Sequence, residues 1–308
     1  MYLCRQMNIK YLSNHQIDKP RWDKVVDNSP NGRIYGYSWY LDCLADDWGA
    51  LVAGDYEYVF PLPFHKKHGI YCIVNPFFVQ QLGIYSENKV NSDVYAEFFK
   101  AIPRRFRYID ICISLDEDIP DNNVKVVKRR TNFILDINRP YAEIHKGYRR
   151  DNKERLRKSF PFVFEESCDY EQITINYIQN VGALFPEIKT HNYRKFCDAM
   201  RVAQSRNCLK VYILADTLTG ETLASGFFPM SHGRAYNIMS SQSEKGKQVF
   251  AHHFLKDCFI REHCQQLNIF DFEGSDLPGV AEFFKKWGGE DEPYTHVRLS
   301  RFPINFIR

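Results

Sequence analysis

Two carboxylates, Asp271 and Glu273, close an alternating run, Asn268-Ile269-Phe270-Asp271-Phe272-Glu273, just before Gly274-Ser275. Strand periodicity puts both on one face. A carboxylate there serves as a general base once burial lifts its pKa toward neutrality. It can equally cap the next helix or pair with an arginine. Pairing is the preferred reading for Asp271. Glu273, beside the turn, is the preferred candidate for orienting or deprotonating an amine. Pro278 suits a first helical turn, and Val280, Phe283, Phe284 and Trp287 then recur at helical spacing until Gly288-Gly289. Lys285 and Lys286 on that helix suit an oxyanion or a phosphate, or simply a solvated helix end. Tyr294 beyond it suits protonation of a leaving group, or a structural place in the core.

A second constellation is the loop Gln242-Ser243-Glu244-Lys245-Gly246-Lys247-Gln248, which opens an apolar-faced helix read over 247–263. Main-chain N–H groups at a helix start receive anions. Gly246 permits close approach and Lys245 and Lys247 add charge, with Ser241 and Gln248 flanking. A solvated turn before a helix is the equal alternative. A third is the basic helix 148–160, with Arg149, Arg150, Lys153, Arg155, Arg157 and Lys158, preceded by Arg130. Such a cluster fits an anionic acceptor such as a nucleotide-sugar or a tRNA end, although Asp151 and Glu154 dilute it. Gln80-Gln81-Leu82-Gly83 occupies the matching loop of the first half and lacks a basic residue, so Gln81 is expected to shape an acceptor cleft. His252-His253 are adjacent and do not share a helix face. Cys258 with His263, and His65 with His68, lack further ligands at zinc spacing. There is no Gly-x-Ser-x-Gly and no Walker loop. No tightly bound metal is expected.

These residues sit on a chain of 308 residues, enough for two domains, with 44% apolar and 26% charged residues. The net charge of +3 does not by itself point to nucleic acid. Nine scattered cysteines without Cys-x-x-Cys suit free thiols in a reducing compartment. The N-terminus lacks the apolar core of a signal peptide, and no stretch approaches the ~20 apolar residues of a membrane span. The expectation is a cytoplasmic protein without a membrane span.

Periodicity predicts helices within 20–47, strands over 49–54, 57–64 and 70–74, a helix over 93–102 and a strand over 107–114. Strands follow at 124–127 and 131–137. The second half gives helices at 141–145, 148–160, 172–184 and 192–206. Three antiparallel strands at 209–216, 221–230 and 235–241 come next, then the long helix and the strand ending at Glu273. Each half thus runs helices, three antiparallel strands, a loop, a helix and a strand. The repeat lies in element order rather than in residues. The boundary is placed near residue 138, giving domains 1–138 and 139–308.

That element order resembles the GNAT fold, and two copies in tandem resemble the Fem-type family of aminoacyltransferases and related bacterial acyltransferases. The local words are Arg130-Thr131-Asn132-x-x-Leu135-Asp136 before the basic helix, Asp271-Phe272-Glu273-Gly274-Ser275, and Gly279-Val280-x-x-Phe283 to Trp287-Gly288-Gly289 with Tyr294. The last resembles the family's Phe-Lys-x-x-Phe-Gly. Aligning Trp287-Gly288 with its Phe-Gly puts Phe284 where the family has a functional lysine; Lys285 lies about 100° round the helix. That departure argues against the peptidoglycan activity of the best-known members, and no heptad arm is present.

The resemblance implies an α+β protein of two tandem GNAT-like domains, with mixed, mostly antiparallel sheets flanked by helices. It also implies transfer of an acyl or aminoacyl group from a CoA thioester, or from aminoacyl-tRNA, to an amine of a metabolite or cell-envelope acceptor, an anionic small molecule or glycan precursor. Ser241, Lys245, Gly246, Lys247 and Gln248 would hold the donor and Gln81, Arg130 and Arg149 the acceptor. Glu273, Lys285 and Tyr294 would serve the chemistry. The rival is a non-catalytic duplicated fold acting as a scaffold in envelope polysaccharide synthesis.

Overall fold

The computed structural model describes residues 7–121, 123–158, 160–274 and 278–302. Ser275, Asp276 and Leu277, the turn expected to close the Glu273 strand, lie outside the described residues. The chain divides into two compact units, one of residues 1–130 with 293–308 and the other of 131–292. The boundary read at residue 138 is therefore displaced, and the C-terminal segment does not stay with the second half. Strand pairing decides both, as follows.

The first unit holds β1 (Ile9–Ser13), α1 (Lys19–Asn28), α2 (Ser38–Leu44), β2 (Asp47–Ala53), β3 (Tyr58–Lys67), β4 (Ile70–Val74), α3 (Ser92–Ala101), β5 (Phe106–Ile113) and β6 (Lys125–Arg130). The Asp18 side chain accepts from the Arg21 N–H and caps α1, with Pro20 in its first turn. Asn91 does the same for α3 through the Val94 N–H. On α3, Tyr95, Phe98 and Phe99 recur at helical spacing, are fully buried, and meet Phe60 of β3 at ring distances of 6.0, 6.3 and 6.1 Å. Burying each such ring stabilises the fold by roughly 1.5–3 kcal/mol. β1 to β4 run antiparallel, and β4 pairs parallel with β5 through the α3 crossover.

The second unit begins with β7 (Phe133–Asp136), α4 (Tyr141–Gly147), α5 (Arg150–Leu156), β8 (Phe162–Glu166), α6 (Tyr170–Val181) and α7 (Thr190–Ser205). It continues with β9 (Leu209–Asp216), β10 (Thr222–Ser231), β11 (Arg234–Tyr236), β12 (Met239–Gln242), α8 (Glu244–Gln248), α9 (Ala251–His263), β13 (Ile269–Asp271), α10 (Pro278–Lys285) and β14 (Glu290–Asp291). Its sheet runs β14-β7-β13-β11-β10-β9-β8, with β12 paired to β10. All neighbours are antiparallel except β11 with β13, the parallel step across the α8–α9 crossover. On β10, Phe227 meets Tyr170 of α6 and Phe196 of α7, whereas Phe228 stacks on Phe259 of α9 at 4.3 Å. Alternation along one strand thus supplies both faces of the sheet.

The last strand, β15 (Tyr294–Ser300), lies between β5 and β6 of the first unit. β7, which follows the first half in sequence, pairs with β13 of the second. Residues 131–136 and 294–300 read as strands, but nothing local says which sheet each completes.

Three expected continuities are broken. The strand read over 235–241 is interrupted between Tyr236 and Met239. The helix read over 247–263 is interrupted at Phe250, whose φ is +59°. The strand read to Glu273 ends at Asp271, and Glu273 has φ +63°. Glu273 therefore does not continue the strand alternation with Asp271. Side-chain residues adopt this left-handed region only at a cost. The basic helix is also shorter than read, Arg150–Leu156, with α4 separate before it.

Among the described residues, no helix is long and apolar enough to cross a membrane. The eight described cysteines are free thiols.

Arg234, in β11, holds Asp271 at 2.6 Å and Glu292 at 2.8 Å, and Asp271 is 1% exposed. Burial pulls the Arg234 pKa down, but Glu292 and Asp271 outweigh it and keep the guanidinium above its ordinary value. Arg234→Met leaves a buried carboxylate with no counter-charge. We expect a loss of about 3–5 kcal/mol of unfolding free energy by urea titration; a loss below about 1 kcal/mol would show the pair to be dispensable.

Candidate functional site

The second unit's sheet parts where β11 and β13 end. Their parallel register runs Arg234↔Ile269, Ala235↔Phe270, Tyr236↔Asp271, and the Asn237 N–H still donates to the Asp271 carbonyl. Beyond that point β12 stays with β10, in register from Phe227↔Met239 to Ala224↔Gln242. The other chain turns away through Phe272, whose N–H donates to the Phe133 carbonyl. Among the described residues no strand covers the second edge of β12. An uncovered strand edge offers main-chain donors and acceptors to an extended amide-bearing chain. The Asn237 Oδ1 at the parting point is buried and has no hydrogen-bond partner.

At the end of β12, Ser241 is 2% exposed and opposes Ser225 of β10. Ser241, Gln242 and Ser243 line a cavity of about 350 Å³, whose other wall is the carboxamide face of α6: Gln172, Asn176, Gln179 and Asn180. These carboxamides are neutral donors and acceptors, suited to amides and hydroxyls; Glu221 also lines the cavity.

The helix mouth expected to receive an anion is occupied by the chain itself. Ser243 Oγ caps α8 by accepting from the Gly246 N–H at 3.1 Å. Lys245 binds Asp216 at 2.6 Å and lies 3.7 Å from Glu221, which holds its pKa above the ordinary lysine value. Lys247 pairs with Glu244, and Gln248 ends α8 exposed. Gly246 is needed for another reason than ligand approach: a Cβ there would lie 2.1 Å from the Leu223 carbonyl oxygen. The Gln242 side chain accepts from the His252 N–H at 3.1 Å and so covers the start of α9.

The other predicted residues are dispersed. Glu273 stands two residues past the end of β13, its N–H donating to Asp271 Oδ1 at 2.9 Å. Asp271 is committed to Arg234, the pairing preferred from sequence. Lys285 is exposed, its ammonium 5.7 Å from the Phe133 ring, and Lys286 pairs with Asp151 at 2.7 Å. Arg149 binds Glu282 at 2.6 Å. Tyr294 and Arg130 face each other across β15 and β6 in the first unit, so Tyr294 does not belong to the unit that holds Glu273 and Lys285. Gln81, also in the first unit, is 1% exposed and its Nε2 donates to Gln80 at 2.7 Å.

The residues missed from sequence lie between α9, α5 and α10. His253 packs on Phe283 at 5.0 Å and on Trp287 at 5.9 Å, with Arg155 Nη1 3.4 Å from its Nε2. Burial, then Arg155 and Lys256, push its pKa down to about 3. Burial also drives the His252 pKa well below the ordinary value. The His252 Nε2, His253 Nδ1, Asn152 Nδ2 and Trp287 Nε1 atoms are sealed from solvent without partners. Such atoms are uncommon in folded proteins and call for a reason. In the sequence His252-His253 stand out only as an adjacent pair without a shared face; packing brings Trp287 against His253 and joins Asn152 to it through Arg155. Among the described residues no group of three or more metal-ligating side chains is gathered.

Gly246→Ala forces a methyl group against the Leu223 carbonyl. We expect it to lower stability by about 1–3 kcal/mol, read from the thermal unfolding midpoint; an unchanged midpoint would mean that the α8–β10 approach yields freely.

No family model matches the sequence, and no curated protein matches it. Solved structures do match in fold. A structure of FemX superposes with a TM-score of 0.66 at 12% identity, over 93% of this chain and 96% of that one. A tandem GNAT protein from the clavulanic acid biosynthesis pathway gives 0.53 at 12% identity, over 97% and 100%. Saccharomyces cerevisiae N-myristoyltransferase with bound myristoyl-CoA gives 0.52 at 8% identity, over 98% and 80%. With its two like-ordered units and the parallel step in each, the chain has the tandem GNAT fold of the Fem-type proteins.

Proposed function

We propose that this chain is an acyltransferase that moves an acyl or aminoacyl group from an activated donor to an amine, with the donor held by the second unit. The observation that carries the reading is the parting of β12 from β13, which leaves one edge of β12 uncovered beside a polar cavity. A pantetheine arm is an extended chain with amide groups, and it fits such an edge by main-chain pairing. The carboxamides of α6 and the serines of β10 and β12 add neutral hydrogen-bonding partners. Transfer further needs a deprotonated amine and stabilisation of the tetrahedral oxyanion. Glu273, next to the parting point on strained backbone, is placed to orient the acceptor.

CoA thioesters are the preferred donors and aminoacyl-tRNA the alternative; a small metabolite or cell-envelope precursor is the acceptor class. The engagement of Lys245 and Lys247 by Asp216, Glu221 and Glu244 favours a second reading. In it the fold binds a neutral ligand without catalysis, because three carboxylates against two ammonium groups repel a pyrophosphate.

A thermal-shift screen with acetyl-CoA, longer acyl-CoAs, UDP-sugars and neutral N-acetylated sugars separates the two. A ligand at 100 times its Kd adds about 2.7 kcal/mol to the native state. We expect a saturable rise in midpoint with at least one acyl-CoA. A shift with a neutral sugar and with none of the acyl-CoAs would favour the binding module.

A further inference from the structure

In the first unit the ends of α3 and β15 meet at a cavity of about 450 Å³. Ser300 of β15 pairs with Tyr108 of β5, and the next N–H, that of Arg301, donates to the Arg107 carbonyl at 2.9 Å. Arg107 and Arg301 therefore stand opposite each other, and both line the cavity. Lys100 of α3 and Arg104 of the α3–β5 turn line it too, and Asp121 is the acid of the lining. Four cations thus face one carboxylate, and this local net charge of +3 equals that of all 308 residues. Like charges opposite one another on neighbouring strands are destabilising.

The charges divide into those already engaged and those left over. Lys100 pairs with Glu97 at 2.9 Å. Asp121 Oδ1 accepts from the N–H and the Nδ2 of Asn123, at 2.9 and 2.8 Å. Arg301 donates through Nη1 to the carbonyls of Pro103 and Phe106, at 2.8 and 3.1 Å, and through Nη2 to that of Ile102 at 2.9 Å. These bonds fix its guanidinium at the end of α3 and leave two of its five N–H donors. Burial, then the charges of Arg104 and Arg107, hold its pKa below the ordinary arginine value. Arg107 is exposed, its guanidinium 5.5 Å from the Phe302 ring, and Arg104 is exposed as well. Among the described residues no carboxylate pairs with either. The dipole of α3 favours cations past its C-terminus, which accounts for Lys100 and Arg301. It does not account for Arg107, which lies in β5.

We propose that this cavity binds the diphosphate group of a small molecule, with Arg301 as the fixed donor and Arg104 and Arg107 closing on the remaining oxygens. A guanidinium fork matches a pair of phosphate oxygens. One phosphate monoester carries about −1.5 to −2 near pH 7 and leaves the lining positive, whereas two linked phosphates come closer to neutralising it. The volume is within the range of small-molecule sites, and the buried side chains of Phe99, Ile102 and Leu299 beside the cations suit the organic group that the diphosphate esterifies. The site lies wholly in the first unit and does not depend on the acyltransferase reading.

The test reads pyrophosphate binding to the full chain at about 0.15 M ionic strength, by titration calorimetry and by the Nε–H resonances of the arginines. We expect saturable binding with a Kd of about 1 mM or tighter, shifts at the Nε–H of Arg104, Arg107 and Arg301, and binding of inorganic phosphate at least about 10-fold weaker. Arg104→Gln and Arg107→Gln are each expected to weaken pyrophosphate about 10-fold with the unfolding midpoint unchanged, since both side chains are exposed. Lys10→Gln, at an exposed lysine of β1, is expected to leave the affinity as it is. The proposal is overturned by unmoved resonances of these three arginines at about 10 mM pyrophosphate, by an equal loss in Lys10→Gln, or by phosphate binding as tightly as pyrophosphate. Sedimentation with phosphatidylglycerol vesicles that depends on Arg104 and Arg107, without binding of pyrophosphate, assigns the cations to a membrane surface and overturns it too. The resonances are read in the wild type, so the test stands even if a variant fails to fold.

Discussion

The second unit depends on one buried ion pair at the point where its sheet divides. Arg234 at the start of β11 and Asp271 at the end of β13 lie on the two parallel strands, and Glu292 and Asn132 complete the network. Removing both charges from water is costly unless geometry and hydrogen bonding are good. Here Asp271 receives Arg234, Asn132 and the Glu273 N–H, so its oxygens are engaged on several sides. The pair fixes the register of β11 against β13, and the register fixes where the pairing stops. Among the described residues the β11–β13 register ends at Tyr236 and Asp271, with the Asn237 N–H on the Asp271 carbonyl just beyond it, and no strand pairs with the second edge of β12.

Just beyond this knot the chain turns through the left-handed region, which is unfavourable for Glu273 and open to Gly274. Glu273 and Gly274 both have positive φ, and a Cβ on Gly274 would stand 2.4 Å from the Thr131 carbonyl. Phe250, at the α8–α9 break, is also left-handed and lies under Arg155 and Lys158 at 5.4 and 4.6 Å from its ring. Strain of this kind persists only where surrounding packing over-determines it. In this unit Glu273 and Phe250 border the parting, while Asn207, His232 and Gln265 adopt positive φ in turns elsewhere. The partnerless polar atoms of His252 and His253 lie on α9, that of Asn152 on α5 and that of Trp287 just past α10. A sheet opening, strained turns and unpaired interior donors in one region give it features by which functional sites depart from ordinary cores.

Some of this was legible in the chain and some was not. The alternation of residues 269–272 and the apolar spacing of α10 were plain, as was the repeat of element order in the two halves. The segment 242–248 read as a loop, but Glu244–Gln248 forms the short helix α8, and its chemistry was not legible either. Lys245 and Lys247 read as ligand charges because Asp216, Glu221 and Glu244 are partly remote in sequence. Their capture of the two ammonium groups depends on the β9–β10 turn folding against α8. Lys256 was passed over, since one lysine in an amphipathic helix is ordinarily solvated, and periodicity cannot show that α10 covers it.

The sequence alone settled the local periods, the turns and the order of elements, because these depend on residues within a few positions of one another. The tertiary structure decided three things that depend on distant pairings. It placed β15 in the first sheet and β7 in the second. It ended β13 at Asp271 rather than Glu273, and it buried Lys256 beside the Phe283 ring. Hydrogen-bond partners of a strand edge and the dielectric around an amine are set by whatever chain segment arrives there, and sequence neighbours carry no record of that.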